Sequence, residues 1–244
     1  MKMNWFFWIQ RIITWFSDLL QYKRRYLELK LNNFEAPIDY SFIPDDWDSV
    51  RADDVITGKV YDGAIQLHLD IRDLFNSTIY TRQWADAVLN EVGNMKAEET
   101  PDEFFNRLAL SAANLTLQNI NYMTNQAQFS MSDKWTNGDS AIETGKGDCD
   151  ISVRVFVRTM YDVLARLNMW QYRKYVFQCV GFFSDVGHSW ASVYDPVEEK
   201  FKLVECTKDQ KLGELPNVPS IYKLYFCFNY SKIFYQKANW RIFL

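Results

Sequence analysis

The chain has 244 residues, 48% of them hydrophobic and 24% charged, a balance that excludes a disordered or fibrous protein. The net charge of −4 gives no basic footprint, so no nucleic-acid partner is expected. Only two histidines, His68 and His188, are present, which excludes a three-histidine zinc site and leaves two candidates for any single-histidine mechanism.

The first element is a helix over roughly 4–31. Trp5, Trp8, Ile9, Ile12, Trp15, Phe16, Leu19 and Leu20 recur at three- and four-residue spacing. Gln10, Arg11 and Asp18 interrupt the apolar run, which is too short to span a bilayer. No small-residue cleavage site follows, so no signal peptide is expected and the protein is placed in the cytoplasm or within a particle. Three tryptophans on one helix face suit docking on a protein surface, in preference to membrane contact. The helix region 1–30 carries six basic residues against two acidic ones, whereas 35–54 carries seven acidic residues against Arg51. With Pro37, Pro44, Gly58 and Gly63, the stretch 32–63 reads as an acidic loop. The expected organisation is therefore an N-terminal helix and linker over 1–63, followed by one domain over 64–244.

Helical periodicity continues over 64–75 and 81–92. Thr100-Pro101-Asp102-Glu103 then starts a helix running to about Gln118, with Thr100 as cap, Pro101 in the first turn and Glu103 closing a capping box. Phe104, Leu108 and Leu115 fall on its buried face. A polar loop over about 124–147 leads to a helix over 149–167, whose stripe of Val153, Phe156, Val157, Met160, Val163, Leu164 and Leu167 marks a core face. From there the pattern changes to strands at 174–183, 188–194, 201–206 and 222–230, rich in β-branched and aromatic residues. Asp195-Pro196 marks a hairpin between the second and third. Helices followed by an antiparallel meander give an α+β class, a helix packed on an antiparallel sheet with a helical N-terminal extension. No internal repeat is found.

Four cysteines with no C-x-x-C pair give neither a disulfide framework nor a metal site, and no metal or cofactor is expected. Cys179, Cys206 and Cys227 lie in strand-like runs and read as small buried residues. His68, between two leucines, reads as structural. Cys149 is different. It begins a helix, where unpaired N–H groups and the helix dipole favour an anion and would lower a thiol's pKa. Gly145 and Gly147 permit the tight turn before it. His188 opens a strand in Gly-His-Ser-Trp-Ala, and Glu205 lies toward the end of the next in Leu-Val-Glu-Cys-Thr. A Cys on a helix end, a His on a strand and a carboxylate on the adjacent strand can form a nucleophile, base and orienter chain. Asp195 is a rival carboxylate, but its Asp-Pro context reads as a turn.

Gly-Lys-Gly-Asp-Cys-Asp at 145–150, His188-Ser189-Trp190 and Leu203-Val204-Glu205-Cys206-Thr207 together resemble the transglutaminase-like cysteine peptidase superfamily. Tyr122, Lys134-Trp135 and Glu143-Thr144-Gly145 resemble its bacterial branch. The resemblance covers about 120–210. It implies a papain- or transglutaminase-like core in which Cys149 is the nucleophile, His188 the base and Glu205 the residue that orients the imidazole. It also implies an oxyanion and substrate pocket near Trp135, Asp148 and Trp190, with a protein or peptide as substrate. Three departures stand out: the second acid that usually follows the Cys is absent, Glu205 replaces the commoner Asp, and Cys206 stands where Pro is common. Two functions are open at this stage. One is acyl transfer through a Cys149 thioester, either hydrolytic or crosslinking. The other is a structural or adaptor role in a larger assembly, such as a virion, docked through residues 4–31.

Overall fold

The computed structural model describes residues 39–51, 56–59, 66–69, 74–124, 127, 137–207 and 215–236. The chain divides into two units, Met1–Asp39 and Tyr40–Leu244, and every element below belongs to the second. The helix expected over 4–31, with its tryptophans, lies outside the described residues.

The stretch expected to be an acidic loop contributes two strands instead, β1 (Trp47–Arg51) and β2 (Ile56–Lys59). β1 forms one edge of the main sheet, and an edge strand accommodates charge such as the exposed Asp48 because one of its sides stays unpaired. The helix expected over 64–75 is likewise corrected. Gln66–Leu69 is a strand, β3, paired antiparallel with β2 so that His68 stands opposite Thr57. Leu67 and Leu69 alternate as well as they fit a helical stripe, and four residues cannot separate the two periods.

The next helices follow the sequence closely. α1 (Ile79–Val92) is capped by reciprocal bonds between Thr78 and Thr81. α2 (Pro101–Asn119) carries the capping box read from the sequence, with the Glu103 N–H donating to Thr100 Oγ1 at 3.2 Å and the Thr100 N–H donating to Glu103 Oε2 at 2.8 Å. The short strand β4 (Asn121–Tyr122) pairs parallel with β5 (Lys146–Gly147). Between them, in the stretch expected to be a loop, lies a short helix, α3 (Asp139–Thr144), too brief to show a period. It ends at Gly145, whose φ of 66° is the left-handed conformation that glycine adopts without strain.

α4 (Cys149–Arg166) is the centre of the fold. Every residue from Asp150 to Leu164 is buried, so this helix has no solvent face. Its apolar side packs Val153, Phe156, Val157, Met160, Val163 and Leu164 into the main core with α1, α2 and the sheet. Each such side chain removed from water is worth about 1.5–3 kcal/mol. After a 3-10 turn at Trp170–Tyr175 come β6 (Val176–Phe183), β7 (Val186–Asp195), β8 (Lys200–Val204), β9 (Tyr222–Phe228) and β10 (Lys232–Gln236).

These strands form one antiparallel sheet in the order β1-β10-β9-β6-β7-β8. The expected meander holds for β6-β7-β8. β9 then returns to the other side of β6, which adjacency in sequence does not reveal. The α+β class with a Cys-bearing helix packed on an antiparallel sheet is what the structure contains. Alternation along the strands sends Val176, Val180, Ala191, Val193 and Phe228 toward the helices. It sends Phe177, Cys179, Trp190, Leu203, Cys227 and Phe234 to the other face, where Tyr40, Phe42, Ile43 and Trp47 cover them. Cys179, Cys206 and Cys227 are buried as expected.

One glycine controls how β9 meets β6. The register slips between Val180 and Gly181, passing over Tyr225, and brings Gly181 close against the Lys223 backbone. A Cβ on Gly181 would collide with the Lys223 carbonyl oxygen and lie 3.0 Å from the Trp190 ring. Gly181→Ala should therefore lower stability by about 1–3 kcal/mol, the usual cost of overpacking, as read from denaturant midpoints.

Candidate active site

Cys149 is the first residue of α4 and is held there by the turn before it. The Asn121 N–H donates to the Gly145 carbonyl at 2.8 Å and the Met123 N–H to the Gly147 carbonyl at 2.9 Å, which sets Tyr122 opposite Gly147. Asp148 is the N-cap of α4, and its Oδ1 accepts the Ile151 N–H at 3.1 Å. It thus stands at the foot of the helix, one residue before Cys149. The backbone N–H of Cys149, at the first position of the helix, has no intrahelical acceptor.

The thiol's electrostatics run against the sequence expectation. Burial pushes the Cys149 thiol up to about 12, and the charges of Asp150, Asp148 and Glu205 add to the rise, outweighing a hydrogen bond from the Ser189 N–H. The helix start alone would lower it, but that effect is small beside desolvation and three facing carboxyls. Asp150 is itself pushed well above the ordinary carboxylate range by burial. Arg154, at 3.1 Å, partly offsets this, and a hydrogen bond with the Asp148 carboxyl works in the same direction as burial. Tyr122, about half exposed at the mouth of the turn, is raised by partial desolvation and then by the charges of Cys149, Asp148 and Asp150.

His188 and Glu205 are brought together. His188 sits near the start of β7, and Glu205 is the residue just past the end of β8. The His188 Nε2 to Glu205 Oε2 distance is 2.7 Å, with both side chains largely buried. Glu205 is held by further donors. Thr207 donates its N–H at 3.1 Å and its hydroxyl at 2.7 Å to Oε1, and the Tyr222 hydroxyl donates to Oε2 at 2.9 Å. Burial would raise the Glu205 carboxyl, but the bonds from His188, Thr207 and Tyr222 outweigh it and hold it below the ordinary value. An ionised Glu205 accepts a hydrogen bond from Nε2–H, which leaves Nδ1 as the ring nitrogen with a free lone pair.

No hydrogen bond joins the Cys149 sulfur to the His188 ring among the described residues. The sulfur meets the backbone N–H of Ser189, the residue next to His188. The His188 ring lies among aromatics, with centroids 6.3 Å from Trp190, 6.1 Å from Phe183 and 6.1 Å from Tyr222. Trp190 is fully buried and forms the wall behind the imidazole. It also lines a cavity of about 490 Å³ with Trp47, Phe177, Phe201 and Tyr222, a lining that does not include Cys149. Trp135 and Lys134 lie outside the described residues. The rival carboxylate, Asp195, closes the β7–β8 turn, where its Oδ1 accepts the Val197 and Glu198 N–H groups at 2.8 and 3.1 Å and the Asn106 amide at 2.7 Å. Among the described residues no group of three His, Cys, Asp or Glu side chains is placed to hold a metal ion.

No family model and no curated protein matches this chain. Among solved structures, Legionella pneumophila LapG in an EGTA-treated form is similar over 65% of this chain and 78% of its own, at 16% identity and a TM-score of 0.43. Its calcium-bound form matches 65% of this chain and 80% of its own, at 14% identity and a TM-score of 0.42. A proposed cysteine protease from Cytophaga hutchinsonii covers 77% of this chain and 61% of its own, at 12% identity and a TM-score of 0.34. With TM-scores below 0.5, these likenesses assign no family.

Tyr222 is the site residue that sequence reasoning missed. It lay in a strand rich in core-type aromatics, and nothing in that pattern marks a hydroxyl aimed at a carboxylate two segments away. Glu205 carries a pH signature of its own. Because its carboxyl is lowered, its bonds stabilise the fold above the ordinary carboxylate value and are lost as pH falls through the lowered one. Glu205→Gln should therefore show a smaller drop in thermal midpoint than the wild type between roughly pH 5 and pH 3.

Proposed function

We propose that this protein is an acyl-transfer enzyme of the transglutaminase-like cysteine peptidase kind, acting on a protein or peptide through a Cys149 thioester. The observation that carries the reading is the His188–Glu205 pair, 2.7 Å apart and fixed by Thr207 and Tyr222, beside a thiol that meets the Ser189 N–H. A thiol pushed up to about 12 is protonated at neutral pH, so it needs a base during the reaction. The proposed base is His188 Nδ1, and contacts of this kind often tighten only when substrate binds.

In the proposed cycle, Nδ1 takes the thiol proton as the sulfur attacks the scissile carbonyl carbon. The oxyanion is met by the Cys149 N–H at the helix start. His188 then returns the proton to the leaving amine, and Glu205 stabilises the imidazolium between the two transfers. Attack on the thioester by water gives hydrolysis, and attack by an amine gives a crosslink. No metal or cofactor takes part in the proposed cycle.

Iodoacetamide tests this without a known substrate. Cys149 should be alkylated well before the buried Cys179, Cys206 and Cys227. His188→Ala should slow that labelling at neutral pH by roughly tenfold or more and leave a rate that keeps rising into strongly alkaline solution. Equal labelling of all four cysteines, or rates indifferent to His188, would remove the enzyme reading.

A docking role for the first unit is a compatible second proposal. It rests on the three tryptophans at helical spacing and on the chain dividing after Asp39. Removal of residues 1–39 should leave Tyr40–Leu244 folded by circular dichroism while abolishing any higher-order assembly seen by light scattering. Loss of fold, or unchanged assembly, would count against it.

A further inference from the structure

We propose that Tyr222 is a positioning residue for the Glu205 carboxylate, deepening the acyl-transfer reading on which it rests. Tyr222 is the first residue of β9, and Glu205 follows β8. In the sheet order these strands are three positions apart, about 14 Å at the usual strand spacing. The Tyr222 and Glu205 side chains bridge this gap together, with the tyrosine ring beside His188. It packs at 5.1 Å against Trp190 and 5.1 Å against Phe183, and its hydroxyl then donates to Glu205 Oε2 at 2.9 Å.

That oxygen is the same one that meets His188 Nε2 at 2.7 Å. The two donors on Oε2 are balanced by the Thr207 N–H and hydroxyl on Oε1. A carboxylate held by donors on both oxygens cannot rotate about its last torsion without breaking bonds on both. Its plane is thereby fixed toward the imidazole, and with it the tautomer that leaves Nδ1 for Cys149. Tyr222 is itself placed with care. Its N–H donates to the Pro219 carbonyl at 3.0 Å, the neighbouring Ile221 carbonyl accepts the Ser184 N–H at 3.2 Å, and its backbone pairs with Phe183. A tyrosine serving only the core would need its ring alone. Here the hydroxyl, the part that packing does not need, reaches the one carboxylate bound to His188.

Tyr222→Phe separates the two roles because the ring contacts remain. With only two histidines in the chain, the His188 ring proton on Nε2 can be assigned in proton NMR by comparison with His68→Gln and Glu205→Gln. In Tyr222→Phe this proton signal should shift or broaden relative to wild type, with the thermal midpoint little changed. Iodoacetamide labelling of Cys149 at fixed neutral pH should slow by roughly three- to tenfold, the worth of one hydrogen bond. A wild-type proton signal together with wild-type labelling would overturn the proposal. If labelling proves indifferent to His188→Ala, the acyl-transfer reading fails by itself. The Nε2 proton then decides for or against Tyr222 alone.

Discussion

A helix buried on every side must satisfy its own polar residues inside the protein, and α4 imposes that demand on everything around it. Arg158 has no exposure, and its guanidinium donates to Asp139 Oδ1 at 2.7 Å, to the Asn76 carbonyl at 3.0 Å and to the Asn137 carbonyl. Asp162 accepts the Thr81 hydroxyl at 2.6 Å, while Arg154 answers Asp150 one turn from the helix start. A buried charge without partners costs several kcal/mol, so these bonds dictate where α1, α3 and the segment before α1 sit. The position of Cys149 is a consequence. The helix is held along its length, and its first turn is closed by Asp148 and the β4–β5 pair.

The same burial explains the character of the thiol. Desolvation that makes α4 rigid also penalises a thiolate, and the carboxyls of Asp148, Asp150 and Glu205 strengthen the penalty. A cysteine in such a place does not exist as a standing anion. In the proposed acyl transfer such a thiol needs a base to take its proton, which places the weight on the geometry of His188 and Glu205. The sheet supplies that geometry from three strands. β7 brings the imidazole, the end of β8 the carboxylate, and β9 the tyrosine that shares the carboxylate oxygen.

Much of the helical half and of the site was legible in the residues. Thr100-Pro101-Asp102-Glu103 encodes its cap locally, and α4 declares itself through a long apolar stripe, because both signals arise from neighbours in sequence. His188 was marked by scarcity, and Glu205 by its place one hairpin away. The errors fell where the signal was short or non-local. β3 and α3 are too brief to show a period, and β1 was hidden by acidic residues that an edge strand tolerates. The return of β9 to β6 depends on a bulge at Gly181 and on packing across the sheet, so strand order by sequence misled.

The sequence by itself determined the α+β class, the capped helices, the Cys-bearing helix start and the two residues that meet as His188 and Glu205. Each follows from local spacing, turn chemistry or the distance across one hairpin. Only the tertiary structure decided the direction of the Cys149 shift, the capping bond of Asp148, the burial of Trp190 beside the imidazole and the bond from the Tyr222 hydroxyl to Glu205. Those depend on desolvation and on contacts between strands far apart in the chain, and such quantities exist only once the sheet has closed around α4.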